Sequence, residues 1–222
     1  MSYGMVKRLI LKDWYFLRYP ILGYLVGGAL SLALVRFGGK GASFAGSILL
    51  LTILISVGIH LAMLTVVNER KEQTLSFVMS LPISAQEYTI AKILANVLIF
   101  LVPFGTLLVG ALTLLWIDDA GGMIPFTTII LTEIFASYCL VLGVALVSES
   151  QNWTIGAIVV GNLSLNGILY HASHVPSIAV AMKGHAVVWN RAPVTLLIVE
   201  IAAIGLLLGL TLFFQGRKTD FL

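Results

Sequence analysis

The sequence predicts an all-α integral membrane protein with six transmembrane helices, and composition is the first observation behind this prediction. Hydrophobic residues make up 59% of the 222 residues and charged residues 10%, whereas a soluble domain has roughly 45–50% apolar and about 25% charged residues. The mean hydropathy is +1.03, so the chain cannot cover itself with polar surface and its solvent is lipid. No segment has the mixed composition of a soluble module, so we predict one transmembrane domain over residues 1–222.

The second observation is the number of long apolar runs. A spanning helix needs roughly 20 mostly apolar residues, and six runs reach that length: residues 20–37, 44–67, 89–116, 125–147, 153–171 and 193–214. Because six is an even number, both termini lie on one side of the membrane. Cytoplasmic termini put most of the 13 lysine and arginine residues in the cytoplasm, which is the bias expected of membrane proteins.

The N-terminal segment, residues 1–19, is predicted to form an amphipathic interface helix along the cytoplasmic leaflet. Its apolar residues share one helical face, which consists of Val6, Leu9, Ile10, Trp14 and Leu17. Basic residues surround the other face, at Arg8, Lys12 and Arg18, as in helices that lie on membrane surfaces. Asp13 is the exception, because it intrudes on the apolar face.

The connection between the fifth and sixth spans contains two apolar pieces, residues 178–182 and 186–189, that are too short to span a membrane. Backbone polar groups cannot face lipid unpaired, so these pieces are either helical and interfacial or buried against other helices. We expect a short re-entrant or interfacial hairpin that is broken near residues 183–184.

Residues 68–83, between the second and third spans, interrupt the apolar pattern in an ordered way. A charged stretch comes first, and an apolar ridge with i, i+3, i+4 spacing follows it at Leu75, Val78 and Met79. Pro82 ends this short helix, because proline disfavours helical geometry in the residue before it. Ser84 and Glu87 form a capping box that begins the third span. Since reversing direction takes only about four residues, the loop is predicted to form a stiff lever at the membrane surface.

These residues resemble a known family. The sequence ERKEQTLSFVMSLPISAQEYTIAK is similar to the segment after the second span in permease subunits of ATP-binding-cassette exporters of the ABC type-2 family. An acidic-basic start, a threonine, a Leu-Pro-hydroxyl break, an acidic residue and a lysine recur there, and the matching residues are Glu69, Arg70, Thr74, Leu81, Pro82, Ile83, Ser84, Glu87 and Lys92. Gln73 stands where the family often has glycine. The surface helix, six spans, broken external segment and short basic tail also resemble that family.

The resemblance implies that residues 69–81 form a coupling helix seated in a groove of a separate ATPase subunit. The coupling positions would be Glu69, Arg70, Glu72, Thr74, Leu75, Val78, Leu81 and Pro82. It also implies two copies of the ATPase subunit and a second, identical or related permease in the cytoplasmic membrane of a prokaryote. The sequence contains no nucleotide-binding motif, so ATP and Mg²⁺ would bind to the partner, and this chain is expected to be neither an enzyme nor a cofactor protein. The alternative for the loop is a solvated connection.

Polar residues form a stripe on each of two spans at i, i+4, i+8 spacing. The second span carries Thr52, Ser56 and His60, and the fifth carries Asn162, Asn166 and Tyr170. In the family these two spans meet near the dimer axis, so the stripes could line a substrate path. The alternative, which we favour, is hydrogen bonding between helices at roughly 0.6 kcal/mol apiece.

Glu133 and Glu200 each lie about 10–13 Å into a span from its outer end, at 1.5 Å per residue. Acidic groups are costly there and face protein or water. Three alternatives stay open: a paired structural carboxylate, which we favour, a vestibule that attracts cations, and a proton-coupling site. A further cluster in the external segment, at His171, His174 and His185, lacks cysteine or acidic ligands, so we expect surface histidines and no metal.

The leading functional hypothesis is the membrane half of an ATP-driven exporter. Its external loops are small, so we expect an amphipathic cargo that enters from the inner leaflet or the cytoplasm, such as a peptide, an antimicrobial compound or a lipid-like molecule. One alternative is an ion-coupled carrier or channel without an ATPase, in which Glu133, Glu200 and His60 titrate. Another is a membrane-anchored protein that binds a toxin and confers immunity.

Overall fold

The computed structural model describes residues 3–69 and 85–217, and throughout these ranges the regular secondary structure is helical. Seven α-helices are present there: α1 (Tyr3–Phe37), α2 (Gly39–Ala62), α3 (Ala85–Ile117), α4 (Ile124–Ser148), α5 (Gln151–His174), α6 (Pro176–Ala181) and α7 (Arg191–Gly216). A π-helical segment, Met63–Asn68, continues α2, and a 3₁₀ turn, Gly121–Met123, precedes α4.

Six of these helices are long and apolar enough to cross a membrane, so this is a multi-pass membrane protein. The candidate spans are Ile10–Phe37, Gly39–Asn68, Thr89–Ile117, Gly121–Ser148, Gln151–His174 and Arg191–Gly216. Each of the six predicted runs lies inside one of them, so the prediction of six apolar helices is confirmed.

The fourth span forms the centre of the bundle. In its most apolar stretch 72% of the residues are buried, against 22% in the fifth span and 11% in the sixth. α4 packs against α2, α3, α5 and α7, while α1 packs against α2 and α3. Small residues allow close approach between helices: a Cβ added at Gly143 would touch the Thr211 hydroxyl of α7. The core beside α4 contains stacked rings, with Phe100 and Tyr138 centroids 4.2 Å apart.

Exposed aromatic side chains gather at the two ends of the bundle. Tyr15 and Trp153 are 66% and 70% exposed near the end where α1, α3 and α5 begin, and Trp116 and Tyr170 are 70% and 67% exposed at the opposite end. Amphipathic rings of this kind sit at the headgroup level of a bilayer. The two girdles therefore agree with a bundle that crosses the membrane along its helices.

The structure corrects part of the prediction for residues 1–19. α1 runs without a break through Pro20, so the predicted boundary between an interface helix and the first span is not a helix boundary. Leu17 is 0% exposed and Ile10 packs against the core, so these residues of the predicted apolar face contact protein rather than lipid. An interfacial position for residues 3–9 stays a prediction, and the side chains of Val6, Arg8 and Leu9 lie outside the described residues.

The connection between the fifth and sixth spans is helical in its first apolar piece and irregular in its second, and a re-entrant or interfacial position for it stays a prediction. α6 is helical and ends at Ala181, and the amide of Gly184 donates to the Ala181 carbonyl at 2.9 Å, so the chain breaks where the sequence predicted. Residues 187–190, however, are not helical. We call residues 176–190 the cap. The Gly122 amide, at the start of the fourth span, donates to the Gly184 carbonyl at 3.2 Å and thus fastens the cap to the bundle.

Candidate functional site

Four ionisable side chains from three helices meet at the end of the bundle where α1 begins, and we call them the charge cluster. The Lys92 ammonium of α3 lies 2.9 Å from Asp13 Oδ2 of α1 and 2.8 Å from Glu69 Oε2, at the end of the π-helical segment. Lys12 Nζ lies 2.7 Å from Glu69 Oε1 and 3.4 Å from Asp13 Oδ1. Each carboxylate therefore contacts both lysines, which alternate with the carboxylates.

The charge cluster is enclosed on one side and reaches solvent or headgroups on the other. The side chains of Lys92 and Asp13 are 2% and 4% exposed, Glu69 is 14% exposed and Lys12 is 51% exposed. Burying single charges costs several kcal/mol per ion unless partners of opposite sign satisfy them. Within the part of the chain that the structure describes, the two lysines balance the two carboxylates, which lowers the cost of burying these charges.

The two lysines also set the protonation of Glu69. Burial alone would raise the pKa of its carboxyl, but the charges of Lys92 and Lys12 and their hydrogen bonds outweigh burial and hold the pKa of Glu69 below its ordinary value. Glu69 therefore stays ionised at neutral pH and keeps α1, α2 and α3 tied together.

A hydrogen-bonded chain extends from the charge cluster into the core. The Asn96 side-chain amide donates to the backbone carbonyl of Lys92 at 3.0 Å, and the Asn96 oxygen lies 2.8 Å from the Thr65 hydroxyl. The Tyr138 hydroxyl donates to the same oxygen at 3.4 Å. Thr65 belongs to the π-helical segment Met63–Asn68, and such segments are frequent at functional sites. The last helical turns before Glu69 are therefore held by α3 and α4.

The charge cluster lies at the base of the predicted coupling loop. Glu69 is the last described residue before the loop. The helix α3 begins at Ala85, which follows Ser84, the predicted N-capping residue of that helix. The other predicted coupling residues lie outside the described residues: Arg70, Glu72, Thr74, Leu75, Val78, Leu81 and Pro82. Sequence reasoning named Glu69 and Lys92 but missed Asp13 and Lys12. The available signal was the carboxylate of Asp13 on an otherwise apolar face.

Glu133 and Glu200, which we call the acidic pair, come together on α4 and α7. Both helices run in the same direction, because Gln215 near the end of α7 donates to the Leu146 carbonyl near the end of α4. Each glutamate lies nine residues into its helix, so the two share one level. Glu133 is 7% and Glu200 3% exposed, and the charge of Glu133 acts on the Glu200 carboxyl. The predicted costly, protein-facing acids are thus found together.

Several side chains of the two predicted polar stripes donate hydrogen bonds to backbone carbonyls of their own helix. Thr52 donates to the Ile48 carbonyl and Asn166 to the Asn162 carbonyl, each one turn back in its own helix. Asn162 likewise donates to the Ile158 carbonyl, and Tyr170 is two thirds exposed. Contacts between helices are made by His60, whose Nδ1 is hydrogen-bonded to the Tyr24 hydroxyl of α1 at 2.9 Å.

Within residues 3–69 and 85–217, the two stripes contribute to different grooves, which share Ile59. Ser56 and His60 face a groove beside Tyr24, whereas Asn162 lines a separate groove with Ile55 and Ile59. A role for the stripes across two copies of the chain stays a prediction.

An apolar cavity that the sequence did not reveal lies among α1 to α5 near the opposite end of the bundle from the charge cluster. Its volume is about 280 Å³, and Leu50, Leu114, Phe126 and Ile130 contribute to its walls. Asp118 is the one charged residue among its lining residues, and it forms an ion pair with Arg36 at 2.9 Å. None of the predicted path residues lines this cavity.

Two of the three histidines that the sequence predicts to be external contact other side chains. The ring of His174 stacks on Tyr170 with centroids 4.1 Å apart, and His185 Nδ1 lies 2.9 Å from Asp119 Oδ2. Within residues 3–69 and 85–217, no group of three or more histidine, cysteine or acidic side chains could hold a metal ion.

Comparisons with known proteins give no relative. No family model matches the sequence, and neither the curated proteins nor the solved structures contain a match. The charge cluster, the apolar cavity and the acidic pair are therefore interpreted from their own residues and contacts.

Proposed function

We propose that this chain is the transmembrane permease subunit of an ATP-driven exporter of the ABC type-2 family. The observation that carries the proposal is the position of the charge cluster at the base of the loop whose sequence resembles a coupling helix. A coupling element transmits force only if its base moves with the spans. Glu69, Lys92 and Asp13 join the two helices that flank the loop to α1, so a push on the loop would reach three spans.

The proposal specifies the rest of the working complex. Two ATPase subunits would bind ATP and Mg²⁺ and dock on residues 69–81, and a second permease, identical or related, would complete the translocation unit. The chain would lie in the cytoplasmic membrane of a prokaryote with both termini inside, in agreement with the sequence's distribution of lysine and arginine. This chain would contribute no catalytic residue.

The apolar cavity supports an amphipathic cargo. Its walls are almost wholly hydrophobic, and the Arg36–Asp118 ion pair lies at its edge. Ligand sites of this kind are mostly apolar with a few placed polar groups. A peptide, an antimicrobial compound or a lipid-like molecule has that mixture of surfaces.

The test is co-purification from the native membrane, followed by mass spectrometry of what accompanies the chain. Wild type is expected to bring down a subunit with a nucleotide-binding P-loop. Leu75→Asp puts a charge on the predicted apolar ridge and should abolish that association. Gln73→Asp adds the same charge at a position that helical spacing puts on the opposite side, so it is the matched control.

The outcomes separate docking from a general effect on the loop. Loss of the ATPase in Leu75→Asp alone, with unchanged thermal unfolding of the isolated chain, supports the coupling helix. If wild type carries no ATPase, or if both variants retain it, the exporter proposal is wrong.

A second candidate, an ion-coupled carrier, is favoured by one observation, the acidic pair buried within two spans. Such residues mark ion and proton pathways in membrane proteins. Flux measured in liposomes distinguishes the two functions, because a carrier follows a proton or ion gradient without ATP, whereas the exporter requires its ATPase and ATP.

A further inference from the structure

The acidic pair has no ion-pair partner in the part of the chain that the structure describes. Neither Glu133 nor Glu200 forms a salt bridge there, although both are more than nine-tenths buried. Two carboxylates at one level of a membrane-spanning bundle repel each other, and burial raises the cost of each charge. At least one compensating positive charge is therefore needed.

The titratable groups on the surrounding helices lie away from the pair. His171 of α5 and Arg191 of α7 lie at the outer ends of their helices, and α6 carries no titratable residue. On α4 itself, Tyr138 and Cys139 lie more than a turn beyond Glu133 and are uncharged as phenol and thiol at neutral pH.

The remaining helices offer no nearby cation either. His60 of α2 is hydrogen-bonded to Tyr24, on the face toward α1. Lys92 of α3 belongs to the charge cluster at the other end of the bundle. The compensating charge of the acidic pair thus comes from none of these side chains.

The two carboxyl groups differ in their hydrogen bonds. The Ser164 hydroxyl of α5 donates to Glu133 Oε1 at 2.6 Å, and donation to a carboxylate favours its charged form. Both oxygens of Glu200 are buried and accept no hydrogen bond from the described residues. When environments of two carboxyl groups differ in this way, the proton resides on the one without donors.

An apolar layer closes the site toward the cap. Ile129, Ile168 and Leu196 lie one helical turn outward from Glu133, Ser164 and Glu200 respectively, and they pack in one cluster with Ile178 and Met182 of the cap. Water reaching the bundle from that end meets this layer first. Burial of both carboxyl groups strengthens the electrostatic interaction between them, so repulsion between two ionised carboxylates would be severe.

We propose that Glu200 holds a bound proton at neutral pH while Glu133 stays ionised with Ser164 as its donor, so that the pair is a proton-binding site within the membrane. The proton comes from bulk water and adds to one carboxylate oxygen of Glu200. The inference does not rest on the exporter proposal, because it concerns the protonation of this chain alone.

Infrared difference spectroscopy on the purified full-length chain in lipid nanodiscs tests the proposal. Wild type at neutral pH should show the carbonyl band of one protonated carboxyl group that shifts in D₂O and disappears as the pH is raised. Glu200→Gln should remove this band and Glu133→Gln should keep it. Glu149→Gln, at an exposed carboxylate, is the matched control and should leave the band unchanged.

Three outcomes would overturn the proposal. The first is a wild-type spectrum without a protonated carboxyl band at neutral pH, and the second is a band that survives in Glu200→Gln. The third is a band that NaCl or KCl abolishes at constant pH, because a metal cation would then occupy the site instead of the proton.

The thermal unfolding temperature is a second measurement that tests the proposal even if a variant folds poorly. Because the proposal makes Glu200 neutral, Glu200→Gln should unfold at or above the wild-type temperature at neutral pH. A clearly lower unfolding temperature would mean that the native state needs the negative charge of Glu200, which contradicts the proposal.

Discussion

The charge cluster and the acidic pair are both sets of buried ionisable side chains. The free-energy cost of burying their charges is offset in different ways. In the cluster, Lys92 contacts both Asp13 and Glu69 within 3 Å, so positive and negative charges balance. In the acidic pair, two carboxyl groups share one level, and the Ser164 hydroxyl donates to Glu133 whereas both oxygens of Glu200 accept no hydrogen bond from the described residues. Among the described residues the cluster contains both signs of charge, whereas the acidic pair contacts no cation.

This difference separates a structural role from a binding role. A balanced cluster ties three helices together and has little reason to exchange protons, because each protonation would break an ion pair. An unbalanced pair binds whatever supplies the missing charge. The end with the cluster is therefore suited to transmitting movement, and the level of the acidic pair is suited to taking up a proton.

The largest expected effect comes from Lys92→Met, which makes the cluster resemble the acidic pair. Among the described side chains, Asp13 and Glu69 would keep the half-exposed Lys12 as their cationic partner. Removing one partner of a buried ion pair costs about 3–5 kcal/mol. We expect the free energy of unfolding, measured by denaturant titration in mixed micelles, to fall by that amount.

Lys12→Met is the matched control for this variant. Lys12 is 51% exposed, and exposed ion pairs contribute about 0–1 kcal/mol. If the two variants lost equal stability, burial would not distinguish the two lysines and the cluster would not be the rigid base that we describe.

Glu69→Gln leaves an excess of positive charge in the cluster and is expected to cost about 2 kcal/mol at neutral pH. The folded-state pKa of Glu69 is lowered, so its contribution is fully present above the ordinary carboxyl pKa and is lost as pH falls through the folded-state value. The stability difference between wild type and the variant should therefore shrink in the acidic range. Denaturant titrations at a series of pH values measure it, and a difference that grew on acidification would contradict the assignment.

The sequence was sufficient to predict the membrane spans but not to predict which residues form the charge cluster. An apolar run of 20 residues carries its own signal, and each predicted run lies within an apolar helix of the structure. The pairing of Asp13 with Lys92 joins residues 79 positions apart. One sequence shows the unusual carboxylate of Asp13 but not which distant lysine meets it.

The sequence also did not predict the directions of side chains or the backbone contacts between distant segments. The stripe through Thr52 is visible in the sequence, yet its hydroxyl is directed to the carbonyl of its own helix. The second limb of the cap is apolar enough for a helix, but Gly184 binds the backbone of Gly122 and residues 187–190 are irregular. The periodicity of polar and apolar residues predicts which side chains share one face of a helix. What that face contacts depends on how the helices pack.

Gly122→Ala should loosen the cap over the acidic pair without changing any charge. A Cβ at this position would overlap the carbonyl oxygens of Ala181 and Gly184, and overpacking of this kind costs about 1–3 kcal/mol. We expect lower stability in denaturant titration and faster amide hydrogen exchange in α6.

Gly156→Ala on α5 is the control for that substitution. A Cβ at Gly156 would meet nothing within 4 Å, and alanine in a helix interior is favoured over glycine by roughly 0.5–1 kcal/mol. Gly156→Ala should thus be neutral or stabilising. Equal stability of the two variants would show that the backbone of the cap does not pack closely against Gly122.

The smallest effect is expected from Tyr24→Phe, which measures how much an uncharged, partly buried contact contributes to stability in comparison with the two charged sites. It removes the 2.9 Å hydrogen bond to His60 but keeps the edge-on ring contact. Hydrogen bonds between membrane helices average about 0.6 kcal/mol, so the same denaturant titration should show a loss near that value. Thr52→Val, whose hydroxyl bonds only within its helix, should cost less. If Tyr24→Phe instead left stability unchanged and altered flux, His60 would belong to a substrate path rather than to the contact between α1 and α2.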